Sequence, residues 1–221
     1  MKTLGLALSL AAALALPLAA PAADRPAPPI AREQPSALAE LPGTGAPLSL
    51  VLFAGRVGPR AGCGSGVIVG DDRDHVTILT AAHVLAMARI TATTVAGERL
   101  RLERWVPVPG HDLAVVTAVR PWRRYEVARM APHPAAGTAV RLWGPVHDEA
   151  FEEQGAVVRP LDPRIPDAPE GAFAIDCPAC GHGDSGTGVF TDRNELVGIV
   201  VAGYTAGGKP LLVLAERYAA P

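Results

Sequence analysis

The sequence lacks an excess of charge of either sign. Its 20 lysine and arginine residues nearly balance its 22 aspartate and glutamate residues, so the formal net charge is −2, and the two signs are interspersed along the chain. A protein that binds nucleic acid needs basic residues clustered on one face. The sequence therefore predicts no nucleic-acid partner.

Long apolar runs are also missing after the first 22 residues, where no stretch is long enough to span a bilayer. The N-terminus differs, because Lys2 precedes an apolar run over residues 4–18, and residues 20–22 have the Ala-x-Ala form of a cleavage site. We predict a signal peptide at residues 1–22 and a mature protein exported to a bacterial periplasm or secreted, without membrane attachment after signal removal. The alternative is an uncleaved membrane anchor, which the short run and Pro17 disfavour.

Cysteine is scarce, with only Cys63, Cys177 and Cys180 in the chain. Export permits disulfides, but three cysteines leave at least one thiol outside any intrachain bridge. The bridge either closes the small loop from Cys177 to Cys180 or joins Cys63 to one of these two. A zinc site formed by the same two cysteines and His182 is disfavoured, because a single C-x-x-C without a second ligand pair is poor support for a metal. We predict no metal site.

Glycine and proline are abundant, at 23 and 22 residues, while long helical patterns are few, which favours a turn-rich all-β fold. The Pro- and Ala-rich residues 23–47 are predicted to be a leader or linker. From Leu48 onward, short strand-like segments alternate with turns, about six in each half of the remaining chain. We predict two six-stranded antiparallel β-barrels, the first at residues 48–125 and the second at residues 126–221.

Several local predictions concern the first of these barrels. The glycine-dense residues 62–66 are predicted to form a turn. Residues 76–80 are β-branched and predict a strand, and residues 81–88 predict a short helical turn after it. The apolar residues 113–119 predict a buried strand.

The hexapeptide Gly-His-Gly-Asp-Ser-Gly at residues 181–186 places a serine between glycines. Glycine tolerates the backbone angles of a sharp turn, so the hydroxyl of Ser185 can stand clear of the chain. The backbone N–H groups of Gly183 and Ser185 can then point at one spot beside it. Such an arrangement suits attack on a carbonyl carbon and stabilisation of the resulting oxyanion. Alone the motif is weak, because Gly-Asp-Ser-Gly is also ordinary turn chemistry.

Two upstream motifs supply the partners that a serine nucleophile needs. Thr-Ala-Ala-His at residues 80–83 follows a predicted strand, and His83 is predicted to be a general base rather than a core histidine. Asp112 stands at the start of an apolar strand, where a carboxylate is costly unless it is hydrogen-bonded or paired. We predict that Asp112 is buried and accepts the ring N–H of His83, and the alternative is an aspartate of a surface turn.

Together these motifs resemble the chymotrypsin-like (trypsin-like) serine peptidases, in which the order along the chain is His, Asp, Ser. The resemblance covers about residues 48–214. The matching segments are Gly-Ser-Gly-Val-Ile at 64–68, Thr-Ala-Ala-His at 80–83, Asp-Leu-Ala-Val at 112–115, Gly-Asp-Ser-Gly at 183–186 and Gly-Ile-Val at 198–200. The resemblance implies a double β-barrel with the active site in the cleft between the barrels.

The resemblance also assigns roles to individual residues. It implies a catalytic triad of His83, Asp112 and Ser185, and an oxyanion hole formed by the N–H groups of Gly183 and Ser185. The residues implied to bind the substrate backbone and line the specificity pocket are Val201, Ala202 and Gly203. The implied activity is that of an exported serine endopeptidase, which hydrolyses peptide or protein substrates through an acyl-enzyme and needs no metal or organic cofactor.

In the usual alignment of the family, a preference for Lys or Arg requires an acid at the pocket floor, six positions before the nucleophile. That residue is Ala179, so we predict cleavage after small or medium apolar side chains. An insertion would change this prediction by bringing Asp176 into the same place. No Ile-Val-Gly-Gly-like start follows a basic cleavage site, so we expect activation that does not need a new N-terminus paired with Asp184.

One departure from the family pattern supports an alternative function. Thr187 stands where the family commonly has a second glycine, and a disturbed nucleophile loop would make the protein a catalytically impaired homologue that acts as a binding protein. An esterase would use the same residues on another substrate. An α/β-hydrolase is disfavoured, because the Gly-x-Ser-x-Gly elbow is absent and no histidine follows Ser185.

Overall fold

Short β-branched and apolar segments form strands through most of the chain. The computed structural model describes residues 45–146, 150–161, 171–181, 183–206 and 209–216. The predicted signal peptide and residues 23–44 of the predicted leader lie outside these ranges. The described residues contain one short 3₁₀ turn, Ala82–Ala86, and no α-helix. None of them forms a helix with the length and apolar character needed to cross a membrane.

The first sheet contains seven strands. They are β1 Leu50–Val57, β2 Arg60–Asp71, β3 His75–Ala81, β4 Ala88–Thr94, β5 Arg99–Leu100, β6 Leu102–Pro107 and β7 Leu113–Val119. Their order across the sheet is β5-β4-β1-β2-β3-β7-β6. All pairings are antiparallel, and the segment predicted at residues 113–119 has the bounds of β7.

The first sheet curls because its two outermost strands are consecutive in the chain. Only Arg101 separates β5, which pairs with β4, from β6, which pairs with β7. The carbonyl oxygen of Arg101 accepts the N–H of Val119 at 2.9 Å, which keeps this corner attached to β7. The backbone thus bends between two neighbouring strands. The first barrel therefore has seven strands where six were predicted.

The second sheet is a closed six-stranded barrel, as predicted. Its strands are β8 Ala139–Val146, β9 Ala150–Arg159, β10 Phe173–Asp176, β11 Gly188–Phe190, β12 Leu196–Ala206 and β13 Lys209–Glu216. They follow one another around the barrel in the order β10-β13-β12-β11-β8-β9. The all-β, double-barrel fold class is thereby confirmed.

The two barrels share buried apolar contacts. Trp143 and Phe190 of the second barrel meet edge to face, with ring centroids 5.7 Å apart. Both rings are almost completely buried, in the same cluster as Phe53 and Ile68 of the first barrel. Burying such large side chains stabilises the contact by about 1.5–3 kcal/mol each. The two barrels are therefore packed against each other through a shared apolar core.

The glycine-dense residues 62–66 do not form the predicted turn but lie within β2. A Cβ added to Gly64 would lie 2.7 Å from a methyl carbon of Val84, and one added to Gly66 would lie 2.7 Å from the ring of Phe53. Glycine is therefore needed here for close approach of neighbouring side chains, not for a turn. The sequence alone does not distinguish these two uses of glycine.

Candidate active site

His83 lies on the 3₁₀ turn that follows directly after β3. Val84 and Leu85 of this turn are buried and anchor it to the core. The side chain of His83 itself remains 47% exposed. Apolar neighbours thus fix the turn, while the imidazole stays accessible to reactants.

Asp112 holds His83 through both of its carboxylate oxygens. Nδ1 of His83 lies 2.6 Å from Oδ2 of Asp112, and the backbone N–H of His83 donates to Oδ1 at 3.1 Å. The N–H of Ala82 also donates to the carbonyl oxygen of Asp112 at 2.9 Å. A ring held at Nδ1 by a carboxylate keeps Nε2 as the nitrogen that can exchange a proton. The geometry therefore suits a base that is oriented by an acid.

The prediction that Asp112 is buried is wrong. Its side chain is 39% exposed, because it occupies the bend before β7 and not the strand itself. The chain enters the core one residue later, at the fully buried Leu113. Hydrogen bonds to His83, rather than a dry interior, define the surroundings of this carboxylate.

Ser185 lies in the turn before β11, and this turn is attached to the first barrel. Its carbonyl oxygen accepts the N–H of Ser65 in β2 at 2.8 Å. Gly64, beside Ser65, packs against Val84, which follows His83. The structure therefore brings the Ser185 turn and the His83 turn to the same part of β2. Within the described ranges no hydrogen bond joins the Ser185 hydroxyl to the His83 ring. In peptidases without bound substrate, the distance between these two groups is often too long for a hydrogen bond and shortens when substrate binds.

Gly186 allows this close attachment. Its φ is +83°, a conformation that favours glycine. A Cβ at this position would collide with the carbonyl oxygen of Ser65 and lie 2.6 Å from Oγ1 of Thr80. Its N–H donates to the carbonyl oxygen of Val200 at 2.7 Å. The glycine after the candidate nucleophile is thus required by contact as well as by backbone angle.

The same turn presents two backbone donors. Neither the N–H of Gly183 nor that of Ser185 donates to another residue in the described part of the chain. Gly183 has φ +103°, which removes it from regular strand geometry. Two N–H donors of one turn that no described residue uses are what an oxyanion hole needs.

The sequence pattern of the trypsin-like peptidase domain matches residues 64–199, more than half of the chain. The chain belongs to the trypsin-like peptidase family. His83, Asp112 and Ser185 all lie within the matched segment. No curated protein sequence matches the chain.

Solved structures of other peptidases share the fold. The active form of the Rv3671c protease from M. tuberculosis is 21% identical, with a TM-score of 0.61, over 90% of this chain and 89% of that one. The HtrA-type protease AlgW, solved with a tripeptide, is 19% identical with a TM-score of 0.63, over 77% of this chain and 56% of that one. A serine endoprotease from Yersinia pestis is 21% identical with a TM-score of 0.60, over 83% of this chain and 64% of that one. At these identities the similarity concerns the fold.

In this trypsin-like peptidase, Asp184 is a buried carboxylate held by uncharged groups. Its Oδ2 accepts the N–H of Gly181 at 2.6 Å, and the side chain of Gln154 donates a second hydrogen bond. Burial raises the pKa of the Asp184 carboxyl, and these two hydrogen bonds oppose that rise. Gly144 completes the site, since a Cβ there would collide with Oδ1 of Asp184. The carboxylate thus lies against β8, where Gly144 leaves room for it, and is hydrogen-bonded to Gln154 of β9 and to Gly181.

Thr187 fits the nucleophile loop without backbone strain. It is fully buried, and it is not among the described residues with positive φ. Its N–H donates to the carbonyl oxygen of Asp184 at 3.0 Å, and its own carbonyl accepts the N–H of Val200 at 2.9 Å. Its hydroxyl has no hydrogen-bond partner within the part of the chain described. The threonine therefore replaces the usual glycine while the loop keeps its hydrogen bonds.

A disulfide precedes the nucleophile loop. It joins Cys177 to Cys180, which answers the pairing that the sequence left open. The two sulfurs are consequently not available as zinc thiolates, and His182 lies outside the described residues. Ala179, the predicted pocket residue, is exposed within this four-residue loop. Asp176 forms an ion pair with Arg159 at 2.9 Å.

The residues predicted to bind substrate lie on β12. Val201 is buried, Ala202 is partly buried and Gly203 is exposed. On one side β12 pairs with β13 along this stretch. On the other side the pairing with β11 ends where Gly188 meets Ile199, and no described strand continues it. An open strand edge therefore lies beside the candidate nucleophile.

Two residues with contacts at the site were not predicted from the sequence. Gln154 supports Asp184, and Glu216 contacts the residues around Asp112. Each lies in a strand, far along the chain from the residue that it contacts. No local motif marks either of them, although a buried glutamate at the end of an apolar strand calls for a partner.

Proposed function

We propose that this peptidase is an exported serine endopeptidase in which His83, Asp112 and Ser185 form the catalytic triad. The contact of both Asp112 oxygens with His83 carries the proposal, because it fixes the tautomer and the orientation of the ring. The attachment of the Ser185 turn to β2 supports it further. Labelling by a fluorophosphonate probe, with and without Ser185→Ala, tests catalysis and site assignment together.

The reaction proceeds in two stages. Ser185 Oγ attacks the amide carbonyl carbon while Nε2 of His83 takes the hydroxyl proton. The N–H groups of Gly183 and Ser185 stabilise the oxyanion of the tetrahedral intermediate. His83 then protonates the leaving amine, which departs and leaves an acyl-enzyme. A water molecule, deprotonated by His83, attacks the ester, and Ser185 recovers its proton as the acid product leaves.

The open edge of β12 supports a peptide substrate. A strand edge presents unpaired N–H and C=O groups, to which an extended peptide can add as a further strand. Residues 201–203 would hold the substrate backbone in this way, next to Ser185. The binding-protein alternative is not favoured, because the loop around Thr187 keeps its backbone hydrogen bonds.

We expect cleavage after small or medium apolar side chains. Asp176 is paired with Arg159, so its charge is already compensated and Ala179 offers none. A positively charged substrate side chain therefore lacks an acid to bind. Profiling with a peptide library measures this preference, and Asp176→Asn serves as the control that should leave it unchanged. A dominant preference for Arg or Lys, lost in Asp176→Asn, would contradict the expectation.

Export and domain organisation complete the proposal. Residues 1–22 act as the signal peptide, residues 23–47 as a leader, and the barrels comprise residues 48–125 and 126–221. We expect the exported form to be active without a further cut, because Gly181 and Gln154 already hold Asp184 where some relatives use a new N-terminal amine. N-terminal sequencing of the active protein checks this. Activity that appears only after a cut near Leu48 would be the opposite result.

A further inference from the structure

Glu216 is a buried acid that reaches from the second barrel to the first. It is the last residue of β13, and its side chain is only 3% exposed. Its Oε2 lies 3.0 Å from Nδ1 of His111, and its Oε1 accepts the backbone N–H of Asp112 at 3.4 Å. The mechanism above gives this carboxylate no task in proton transfer.

The surroundings of Glu216 make it a rigid acceptor. Its backbone pairs with Ile199 in β12, so the closed barrel fixes its position. A buried carboxylate is costly unless it is hydrogen-bonded, and both of its oxygens have partners in the same two-residue bend. That bend is partly buried and lies outside the regular strands on either side of it. Within the first barrel the bend is held by the Ala82 N–H, which donates to the Asp112 carbonyl oxygen, and by the His111 N–H, which donates to the carbonyl oxygen of Val108. Glu216 adds a support from the second barrel, at the Asp112 N–H.

We propose that Glu216 is a positioning residue for the peptidase reaction, which fixes the backbone of Asp112 from the opposite barrel and so holds the carboxylate that orients His83. The inference rests on the proposed function. It predicts that Glu216 affects the chemical step and not substrate binding, because it contacts the acid and not the open edge of β12.

Glu216→Gln tests the role with a side chain of the same size. In the variant a neutral amide oxygen replaces the charged acceptor of the Asp112 N–H, which weakens that hydrogen bond, and an NH₂ group replaces the oxygen that faces His111. We expect kcat to fall about 10-fold with KM unchanged, since small displacements of catalytic groups cost this much or more. The rate at which a fluorophosphonate labels Ser185 should fall by the same factor.

The pH dependence separates positioning from a general structural effect. Burial raises the pKa of the Glu216 carboxyl, the Asp112 N–H and His111 lower it, and the charge of Asp112 raises it. Protonated Glu216 is uncharged, as glutamine is. The wild type should therefore have the higher kcat/KM at pH values above this pKa, and the difference should disappear as the pH falls through it. The ratio of kcat/KM between wild type and Glu216→Gln should therefore approach one in acid. The titratable groups that face Glu216 are His111 and Asp112.

Two further variants keep the test decisive. Glu152→Gln makes the same change at an exposed site on β9 and should leave kcat and the pH profile unchanged. His111→Asn alters the contact between His111 and Glu216 from its more exposed side. If Glu216→Gln unfolds, this variant takes its place, and a fall in kcat without a change in KM supports the inference. Where both fold, the double variant should lose less than the product of the single effects.

The outcomes distinguish the two proposals. If wild type is labelled at Ser185 but Glu216→Gln and His111→Asn match Glu152→Gln, the inference about Glu216 is overturned and the proposed function stands. A ratio of kcat/KM that is independent of pH also overturns it. If the wild type is not labelled at Ser185, the proposed function fails and the inference fails with it.

Discussion

Replacing Ser185 with alanine is expected to reduce peptide hydrolysis by between about 10³- and 10⁶-fold, because the attacking oxygen is removed. The fold should be retained. The described contact of Ser185 with the first barrel uses its carbonyl oxygen, which alanine also has. Initial rates on a peptide substrate measure the loss, and fluorophosphonate labelling should disappear with it.

The control for this variant is Ser49→Ala, which removes a serine hydroxyl from the first barrel, before β1. It should hydrolyse substrate and accept the probe like the wild type. Thermal unfolding of Ser185→Ala should stay within a few degrees of the wild-type midpoint. Activity that survives in Ser185→Ala would place the nucleophile elsewhere and remove the basis of the proposed triad.

Asp112→Asn is expected to lower kcat by about 10⁴-fold, the loss typical of this change in a Ser-His-Asp triad. Asparagine can still accept the backbone N–H of His83, so the turn should remain in place. Its amide N–H then faces Nδ1 of the ring and favours the tautomer that carries a proton on Nε2. That nitrogen can no longer accept the proton of Ser185.

Steady-state kinetics should show this loss in kcat with a small change in KM, because Asp112 does not line the open edge of β12. Asp74→Asn makes the same charge change at an exposed bend of the first barrel and should behave like the wild type. A kcat close to wild type in Asp112→Asn would mean that another group orients His83.

The structure and role of a residue could be predicted where they depend on its neighbours in the sequence. The run at residues 113–119 is continuously apolar or β-branched, and it forms a strand with those bounds. The types and order of His83, Asp112 and Ser185 predicted a reaction class, because few other reasons place these residues in these motifs. The contact between His83 and Asp112 was predicted in the same way.

Residues that act through distant contacts could not be predicted. Gly64 and Gly66 serve packing against Val84 and Phe53, and such partners are visible only after folding. The prediction for Asp112 failed by one residue, because burial begins at Leu113. Glu216 meets the bend around Asp112 across the two barrels, and nothing near it in the chain indicates that contact.

The hydrogen bond from the Ser65 N–H to the Ser185 carbonyl crosses from the first barrel to the second. The ribosome synthesises the first barrel before the second. A nascent chain therefore contains His83 and Asp112 before the Ser185 hydroxyl is in place beside them. If the proposed function is correct, the newly made chain gains peptidase activity only when the strands of the second barrel have folded against the first.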